Sequence, residues 1–597
     1  MAIERPVSAD GGSARRSGLD RVAPWALGLG VLGLMLGTLG DYGMAWDEAF
    51  SVEREERLAE WFGRVAGADP ARVRAWSPQL SNLEGRAEYL RSAGASAGSP
   101  WSRASLRFYW QFAREEPSGH PPFYALLGLA GWALAHPFVS PLVAYRVGPA
   151  ALFAATVGAL YGFLAGRYGR LAALAASLAL VTMPRVFAHA HLASYDGPTL
   201  CFWLLATLAF LKATEAAEVP RRWRAWASLF GLAWGAGAAT KLTGWFVPIP
   251  LLAWAAWYRD RRALGVLAAG AGVAALVVYA TNPSWWLDPV GGLSGFFRSN
   301  LSRDRTARIP TQFFGRVSLF GLPWYNTLAI TAVVVPPWTL ALALVGVARL
   351  AWGRFRDRSG TLLLACWAFF LGLRALPGAP GHDADRQFLS GFGFLAALAG
   401  VGFAGAASAL GRVAGPKLGR WLASALLVAS VAPGAWSTVR YHPLQLSYYN
   451  DLIGGLRGAT RAGMEPTFYW DALTPDALAW INAHTGAGAS IYPAYPIPLF
   501  DYLHRWGMLR PSPHPGADRP PAWYLVQNRP GMLRTYPSLA PAAWLLGHAR
   551  PAYARTLPDA PEVPLVAVYA PGDALEATRA SAAEVERRVK GPPPPSR

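Results

Sequence analysis

Long uncharged stretches recur along this chain and are separated by short basic clusters, and no other feature constrains its fold as strongly. Trp25–Gly40, Ala151–Ala165, Leu264–Thr281 and Phe388–Leu410 contain no Asp, Glu, Lys or Arg. A helix of about 20 apolar residues crosses the hydrocarbon core of a bilayer, or about 17 when short. A soluble domain carries roughly 25% charged residues, whereas here 15% are charged and 53% are apolar. The sequence therefore reads as an all-α polytopic membrane protein.

The formal net charge of +19 raises the question of nucleic acid. Nucleic-acid binding needs a basic stripe or tail, and the basic residues form neither, so no nucleic-acid partner is expected. They cluster instead between apolar windows, at Arg167/Arg170, Arg221/Arg222/Arg224, Arg259/Arg261/Arg262, Arg349/Arg354/Arg356/Arg358 and Arg412/Lys417/Arg420. Such clusters mark the cytoplasmic face. One topology puts all of them there. The tail 1–22, with Arg5, Arg15, Arg16 and Arg21, is cytoplasmic, and the short apolar piece Pro121–Ala135 is a re-entrant or interfacial helix. Were that piece to span, every later cluster would be inverted.

About eleven transmembrane helices follow, near residues 23–40, 146–165, 171–186, 198–213, 225–240, 244–258, 263–281, 328–348, 360–375, 387–410 and 421–438. Arg21–Gly40 is too long for a signal peptide and lacks a convincing cleavage site, so it reads as a retained first helix. The expected location is the cell inner (plasma) membrane. A long first periplasmic loop, 41–120, contains a charged helical pattern, Glu48–Trp61, with Phe50, Leu58, Trp61 and Phe62 placed for an interface. Residues 441–588 form a small mixed α/β periplasmic domain, and 589–597 a disordered tail. In that domain Thr474-Pro475 starts a helix, and Ala489–Tyr492, Trp523–Gln527 and Leu565–Tyr569 are strands. Cys201 and Cys366 lie in apolar windows, so neither a disulfide framework nor a cysteine metal site is expected.

In this topology the carboxylates beside the membrane gather outside: Asp47 and Glu48 after the first helix, Asp196 before the fourth, Asp383 and Asp385 before the tenth. Lys241 interrupts an apolar run at the outer end of the fifth helix, where a lysine is costly unless it is paired or lines a cavity. Arg303, Arg305 and Arg308 lie in the outer loop Asn282–Asn326 and can clamp phosphate oxygens. His189-x-His191 could supply two metal ligands, but no third is fixed by spacing, and no cofactor is predicted. Trp46, Trp110, Trp285, Trp286, Trp324 and Tyr325 suit a membrane-interface belt.

Asp47-Glu48 directly after the first helix resembles the opening loop of the C-type glycosyltransferases, in particular the protein O-mannosyltransferases and the lipid A aminoarabinose transferases. Four further elements follow in order. Gly119-His-Pro-Pro-Phe123 looks like the family's His/Lys-Pro-Pro element, and Pro184–Asp196 resembles its second loop. Thr240-Lys241 matches a Thr-Lys element, and Arg386 a late basic position. The resemblance covers roughly residues 20–440. Tyr448-Tyr-Asn-Asp-Leu-Ile-Gly-Gly-Leu-Arg-Gly is distinctive, but no chemistry is assigned to it.

The resemblance implies transfer of a sugar from a polyprenyl-phosphate carrier to a protein, lipid or glycan acceptor. Asp47 is the expected general base or acceptor-orienting carboxylate. Glu48 orients the loop or binds sugar hydroxyls, and Asp196 completes the acidic set. Lys241, Arg386, Arg303 and Arg305 are expected at the donor phosphate. His120 contacts the phosphate or the acidic pair. A transporter or flippase of a lipid-linked or polar envelope substrate is the alternative. Transporters tend to show internal repeats and ionisable groups near the midplane; here no repeat is visible and the charges sit at one face.

Overall fold

The computed structural model describes residues 18–68, 98–111, 119–303, 308–495, 499–513 and 522–590. Helix α1 (Gly18–Leu36) leads through a 3-10 turn into α2 (Trp46–Val65), followed by α3 (Arg103–Trp110) and α4 (Phe123–Ala135). Next come α5 (Pro141–Tyr168), α6 (Arg170–Val181), α7 (Pro184–Ala190), α8 (Asp196–Glu215), α9 (Pro220–Ala238), α10 (Pro248–Trp257) and α11 (Arg261–Ala280). Helix α12 (Pro289–Leu301) and the hairpin β1–β2 (Thr311–Phe313, Arg316–Ser318) precede α13 (Asn326–Val334), α14 (Pro337–Trp352), α15 (Arg358–Ala375) and α16 (Ser390–Arg440). Among the described residues, five helices are long and apolar enough to cross a membrane, or six if the bent pair α6–α7 is one span. Three shorter apolar helices accompany them. The chain is a mostly helical, polytopic membrane protein.

The helix ends sort by charge. Helix α8 starts at Asp196 and ends at Glu215, about 30 Å away at 1.5 Å per residue. Around Glu215 gather the ends of α5 and α10 and the starts of α11 and α15. Arg167 pairs with Glu215 and its Nε donates to Ser359 (3.2 Å), Trp254 Nε1 donates to the Arg358 carbonyl (2.8 Å), and Arg262 pairs with Glu218. The other end of the bundle holds Asp47, Asp196, Lys241 and Arg386.

Two expected helices, 171–186 and 328–348, contain breaks that hydropathy does not signal, and the structure bends a third element where two helices, 387–410 and 421–438, are expected. α6 and α7 meet at 71° before Pro184, and α13 and α14 are parted at Val335-Pro336, where proline has no N–H to continue a ladder. Within the 51 residues of α16, Gly415 takes φ 77°. A Cβ on Gly419 would fall 2.6 Å from the Gly411 Cα, so α16 is a sharp hairpin of two limbs. Its first limb starts beside Arg386. Its second returns to the same end, where Thr438 bonds the Thr182 carbonyl.

Helix α4 packs antiparallel on the first third of α5. A Cβ on Gly131 would meet the Gly148 nitrogen at 2.4 Å, and one on Gly148 would meet the Leu127 carbonyl at 1.9 Å. The Phe123 N–H bonds the Ala239 carbonyl (2.9 Å), so α4 stays at the Asp196 end of the bundle.

Helix α2 corrects an expectation. It is buried over most of its surface, charged side chains included, rather than lying on an interface. Leu58 and Trp61 pack with Tyr109, Trp110 and Tyr124. Most of the charges are tolerated because they are paired internally: Glu53 with Arg57 (3.2 Å), Glu60 with the Tyr109 hydroxyl (2.7 Å), Glu56 with Arg505, and Arg54 with the His120 and Trp110 carbonyls. Glu55 is the exception, buried with one oxygen unpartnered among the described residues, and burial raises its pKa well above the ordinary value. Buried charges persist only with such partners.

Beyond Tyr441 the chain builds a five-stranded mixed sheet, in the order β4 (Ser512–Pro513), β3 (Ser490–Pro493), β5 (Trp523–Gln527), β7 (Val566–Tyr569), β6 (Tyr553–Arg555). β3 pairs parallel with β4 and β5, and β7 antiparallel with β5 and β6. One buried apolar cluster runs from Val31 through the bundle to Ala577, so this part is packed into the bundle rather than tethered to it. The tail 591–597, most of the N-terminal tail (1–17) and parts of the first loop (69–97 and 112–118) lie outside the described residues.

Candidate active site

The link from α1 to α2 positions the acidic pair. Gly43 passes so close to the chain at Asp471–Leu473 that a Cβ there would fall 2.4 Å from the Asp471 carbonyl. The Trp46 N–H then bonds the Tyr469 carbonyl (2.9 Å). Arg146 holds this link from beneath, donating to the carbonyls of Leu39 (2.9 Å), Tyr42 (3.0 Å) and Gly43 (2.7 Å). Its Nε and Nη2 meet the two Glu48 oxygens at 2.8 and 2.7 Å. Glu48 also accepts from the Ala45 and Ala193 N–H groups, each at 2.8 Å. With both oxygens doubly engaged and no exposed surface, Glu48 orients the loop. The structure does not offer it to a sugar.

Asp47, one residue earlier, turns into a second cluster. It accepts from the Tyr195 hydroxyl and pairs with Arg386 Nη2 (2.7 Å). Arg386 Nε reaches Asp196 (2.9 Å) and its Nη1 pairs with Asp383. Lys241 pairs with the other Asp196 oxygen, and Arg529 Nη2 lies 2.7 Å from Asp383. Three carboxylates and three cations thus face one another, all buried. The Tyr469 ring centroid lies 4.5 Å from the Arg386 guanidinium. Asp383 and Ala384 adopt φ of 58° and 46°, left-handed values that cost a non-glycine residue energy. This turn aims Asp383 at both Arg386 and Arg529.

The environments of two of these carboxylates differ. Burial raises the Asp47 pKa above the ordinary aspartate value, and the Arg386 charge offsets this only in part. Burial also raises Asp383, but Arg529 and Arg386 together hold it below that value. Such divergence is how sites separate a proton acceptor from a fixed anion.

His120 stacks on Tyr195 with ring centroids 3.8 Å apart. Burial and the charges of Arg303, Lys241, Arg386 and Arg54 lower its pKa well below the ordinary value, so it is a neutral neighbour of the cluster. The same charge effect places Arg303 near His120. Arg305 lies outside the described residues. The histidine pair diverges: His189 lies 3.9 Å from Asp385 and His191 bonds Thr38 (2.9 Å). Among the described residues, no group of three His, Cys, Asp or Glu side chains is arranged to hold a metal.

Asp47, Asp196, Lys241 and Arg386, named from the sequence, are brought together. Tyr195, Asp383, Tyr469, Arg529 and Arg146 were not singled out as site residues. Tyr195 lies inside the Pro184–Asp196 element, and Asp383 reads from the sequence only as an outer carboxylate. Arg146, one charge at the start of an apolar run, could have been found by asking for its partner. The motif at Tyr448 also gains a role. Arg185 donates to the Tyr448 carbonyl (2.9 Å), lies over the Tyr449 ring (4.7 Å) and pairs with Asp385 (2.6 Å). Asn450 donates to the Ala332 and Val335 carbonyls (2.7 Å each) at the α13–α14 break.

An apolar cavity of about 940 Å³ lies between α1, α5, α8 and α9. Phe123, Phe202 and Ala236 line it towards the carboxylate cluster, and Lys212 and Arg222 at its far end.

Residues 119–285 match the model of the dolichyl-phosphate-mannose-protein mannosyltransferase family. Three of the five ordered motifs fall within this match: Gly119–Phe123, Pro184–Asp196 and Thr240-Lys241. Over this segment the chain is similar to the mannosyltransferase branch of the C-type glycosyltransferase superfamily. Among solved structures, apo ArnT from Cupriavidus metallidurans is 14% identical, with 93% of this chain and 98% of that chain covered and a TM-score of 0.47. Its undecaprenyl-phosphate-bound form gives 15%, 92%, 98% and 0.47. The apo oligosaccharyltransferase from Archaeoglobus fulgidus gives 11%, 83%, 64% and 0.46. No curated protein matches the chain by sequence.

Proposed function

We propose that this protein is a membrane glycosyltransferase that moves a sugar from a polyprenyl-phosphate carrier to an acceptor at the face holding Asp47. One observation carries the reading: a single buried guanidinium, Arg386, joins Asp47, Asp196 and Asp383 beside Lys241, at the mouth of a helix inside the family-matched segment. The mannosyltransferases of that family use, by their name, a sugar on a lipid phosphate. In transfer, an acceptor hydroxyl attacks the anomeric carbon as the carbon–oxygen bond to phosphate breaks. The lipid phosphate leaves with the electron pair, and Asp47 takes the hydroxyl proton. Lys241 and Arg386 bind the phosphate through charge-assisted hydrogen bonds. A phosphate that draws Arg386 away from Asp47 removes the charge that lowers its pKa, so donor binding itself makes Asp47 more basic. Arg529 keeps Asp383 and the turn in place. The 940 Å³ cavity offers space for an apolar chain below the cluster.

The same reading has eleven crossings, with α1, the joined α6–α7 and α13–α14, and the two limbs of α16 each counted once. It places the first loop, Arg303 and residues 441–588 on the periplasmic side of the inner membrane.

The test is Asp47→Asn in nanodiscs supplied with a polyprenyl-phosphate sugar. Asn keeps the size and one acceptor oxygen but cannot take a proton. Transfer to a hydroxyl acceptor should fall by about two to four orders of magnitude, the range for a lost general base, with unchanged insertion. In the unsubstituted protein, activity should be lost as pH falls through the Asp47 pKa, which lies above the ordinary 3.8. The variant's residual activity should lack that acidic limb. Full activity of Asp47→Asn would remove Asp47 as the base, and absence of transfer by the unsubstituted protein would make the transporter the leading reading.

A further inference from the structure

At the end of the bundle opposite the carboxylate cluster lies a cavity of about 580 Å³ between the ends of α8 and α10 and the starts of α11 and α15. Arg259, Arg261, Arg262 and Arg358 line it, against Asp260 and Glu215. Two of these cations are already engaged. Arg262 pairs with Glu218 (2.7 Å), and Arg358 pairs with Asp260 while lying 4.8 Å from both the Trp254 and Tyr258 ring centroids. Among the described residues Arg259 and Arg261 have no ion-pair partner. Asp260 caps α11 through the Arg262 and Ala263 N–H groups (3.0 and 3.2 Å), so the helix start needs no outside anion. The surplus is one of side-chain charge.

Two further observations bear on what fills the cavity. Arg259 sits at φ 51°, a left-handed conformation in which Gly or Asn would be less strained. The fold accepts this strain with a cation facing the cavity. Trp257 and Trp352, near the same helix ends, are 70% and 86% exposed. Exposed tryptophans at helix ends mark the headgroup level of a bilayer, and basic pockets between helices at that level suit lipid phosphates. We propose that this cavity binds the phosphate headgroup of an anionic glycerophospholipid, with Arg259 and Arg261 as phosphate ligands and the Arg358–Trp254–Tyr258 stack as its wall. The proposal requires only that these helices cross a bilayer and does not depend on the transferase reading.

Native mass spectrometry of the delipidated full-length protein, titrated with phosphatidylglycerol or phosphatidylcholine, tests it. Phosphatidylglycerol should bind more tightly. The double variant Arg259→Gln/Arg261→Gln should weaken that binding about thirtyfold, since each cation near an anionic headgroup contributes roughly fivefold. Arg259→Lys should keep most of it, and Arg412→Gln/Arg420→Gln, in another basic cluster, should have no effect. Equal binding of both lipids, an equal loss in the Arg412/Arg420 variant, or displacement of the lipid by millimolar inorganic phosphate would each overturn the proposal. All three variants change exposed helix-end residues, and circular dichroism checks that they remain folded.

Discussion

Asp47 and Glu48 are adjacent, alike in charge and indistinguishable by composition, yet the fold separates their tasks. Consecutive residues entering a helix point about 100° apart. One side chain therefore meets Arg146 and the other meets Arg386 and Tyr195. The sequence could identify the pair as important but could not divide the work, because the dividing partner, Arg146, is nearly 100 residues away. The division predicts distinct failures. Glu48→Ala leaves the Arg146 guanidinium buried with only carbonyl partners, and breaking such a pair costs about 3–5 kcal/mol. Thermal unfolding in detergent should show a large loss of stability, while the fraction that remains folded retains the acidic limb of the Asp47 profile. A Glu48→Ala protein of unchanged stability and abolished transfer would instead place Glu48 in the chemistry.

At the scale of elements, the period and length of the apolar runs located most helices, and the charge asymmetry kept α4 from being counted as a span. Hydropathy does not register the breaks at Pro184 and Pro336, because the residues flanking each are nearly as apolar as those within the helices, whereas the turn at Gly415 is marked by Arg412, Lys417 and Arg420 around it. Nor does hydropathy register that α4 and α5 meet through glycines. A Cβ on Gly148 would lie 1.9 Å from the Leu127 carbonyl, a contact no rotamer change relieves because both sides are backbone. Gly148→Ala should therefore push α4 off α5, at about 1–3 kcal/mol for an overpacked contact. Helix α4 starts just after His120, which stacks on Tyr195, so transfer activity should fall although no site residue is altered. Gly265→Ala is the control, since a Cβ there meets nothing within 4 Å. Equal behaviour of the two variants in unfolding and activity would show that the hairpin contact is not what holds α4.

For the whole molecule, the main surprise is where Arg529 and Tyr469 come from. The sequence read the region after Tyr441 as a separate domain, because its Pro-rich, strand-forming composition differs from the apolar core. No periodicity links residue 529 to residue 383. Yet Arg529 Nη2 lies 2.7 Å from Asp383, the Tyr469 ring covers Arg386, and Arg505 pairs with Glu56 of the first loop. The sheet must therefore lie on the same side of the membrane as the first loop, and the carboxylate cluster is closed by elements from both. This ties a topological claim to the site: if the first loop is periplasmic, so is the sheet. Single cysteines replacing Ser102, before α3, and Ser512, in β4, test it with a membrane-impermeant thiol reagent, the native Cys201 and Cys366 being buried. Both positions should label in intact spheroplasts, and neither should need the inner membrane opened. A cysteine replacing Ser359, at the basic end beside Arg167, should label only after permeabilisation. Labelling of Ser102 without Ser512 would contradict the shared contacts themselves. Labelling of both only after permeabilisation would invert the chain and put the Asp47 face in the cytoplasm.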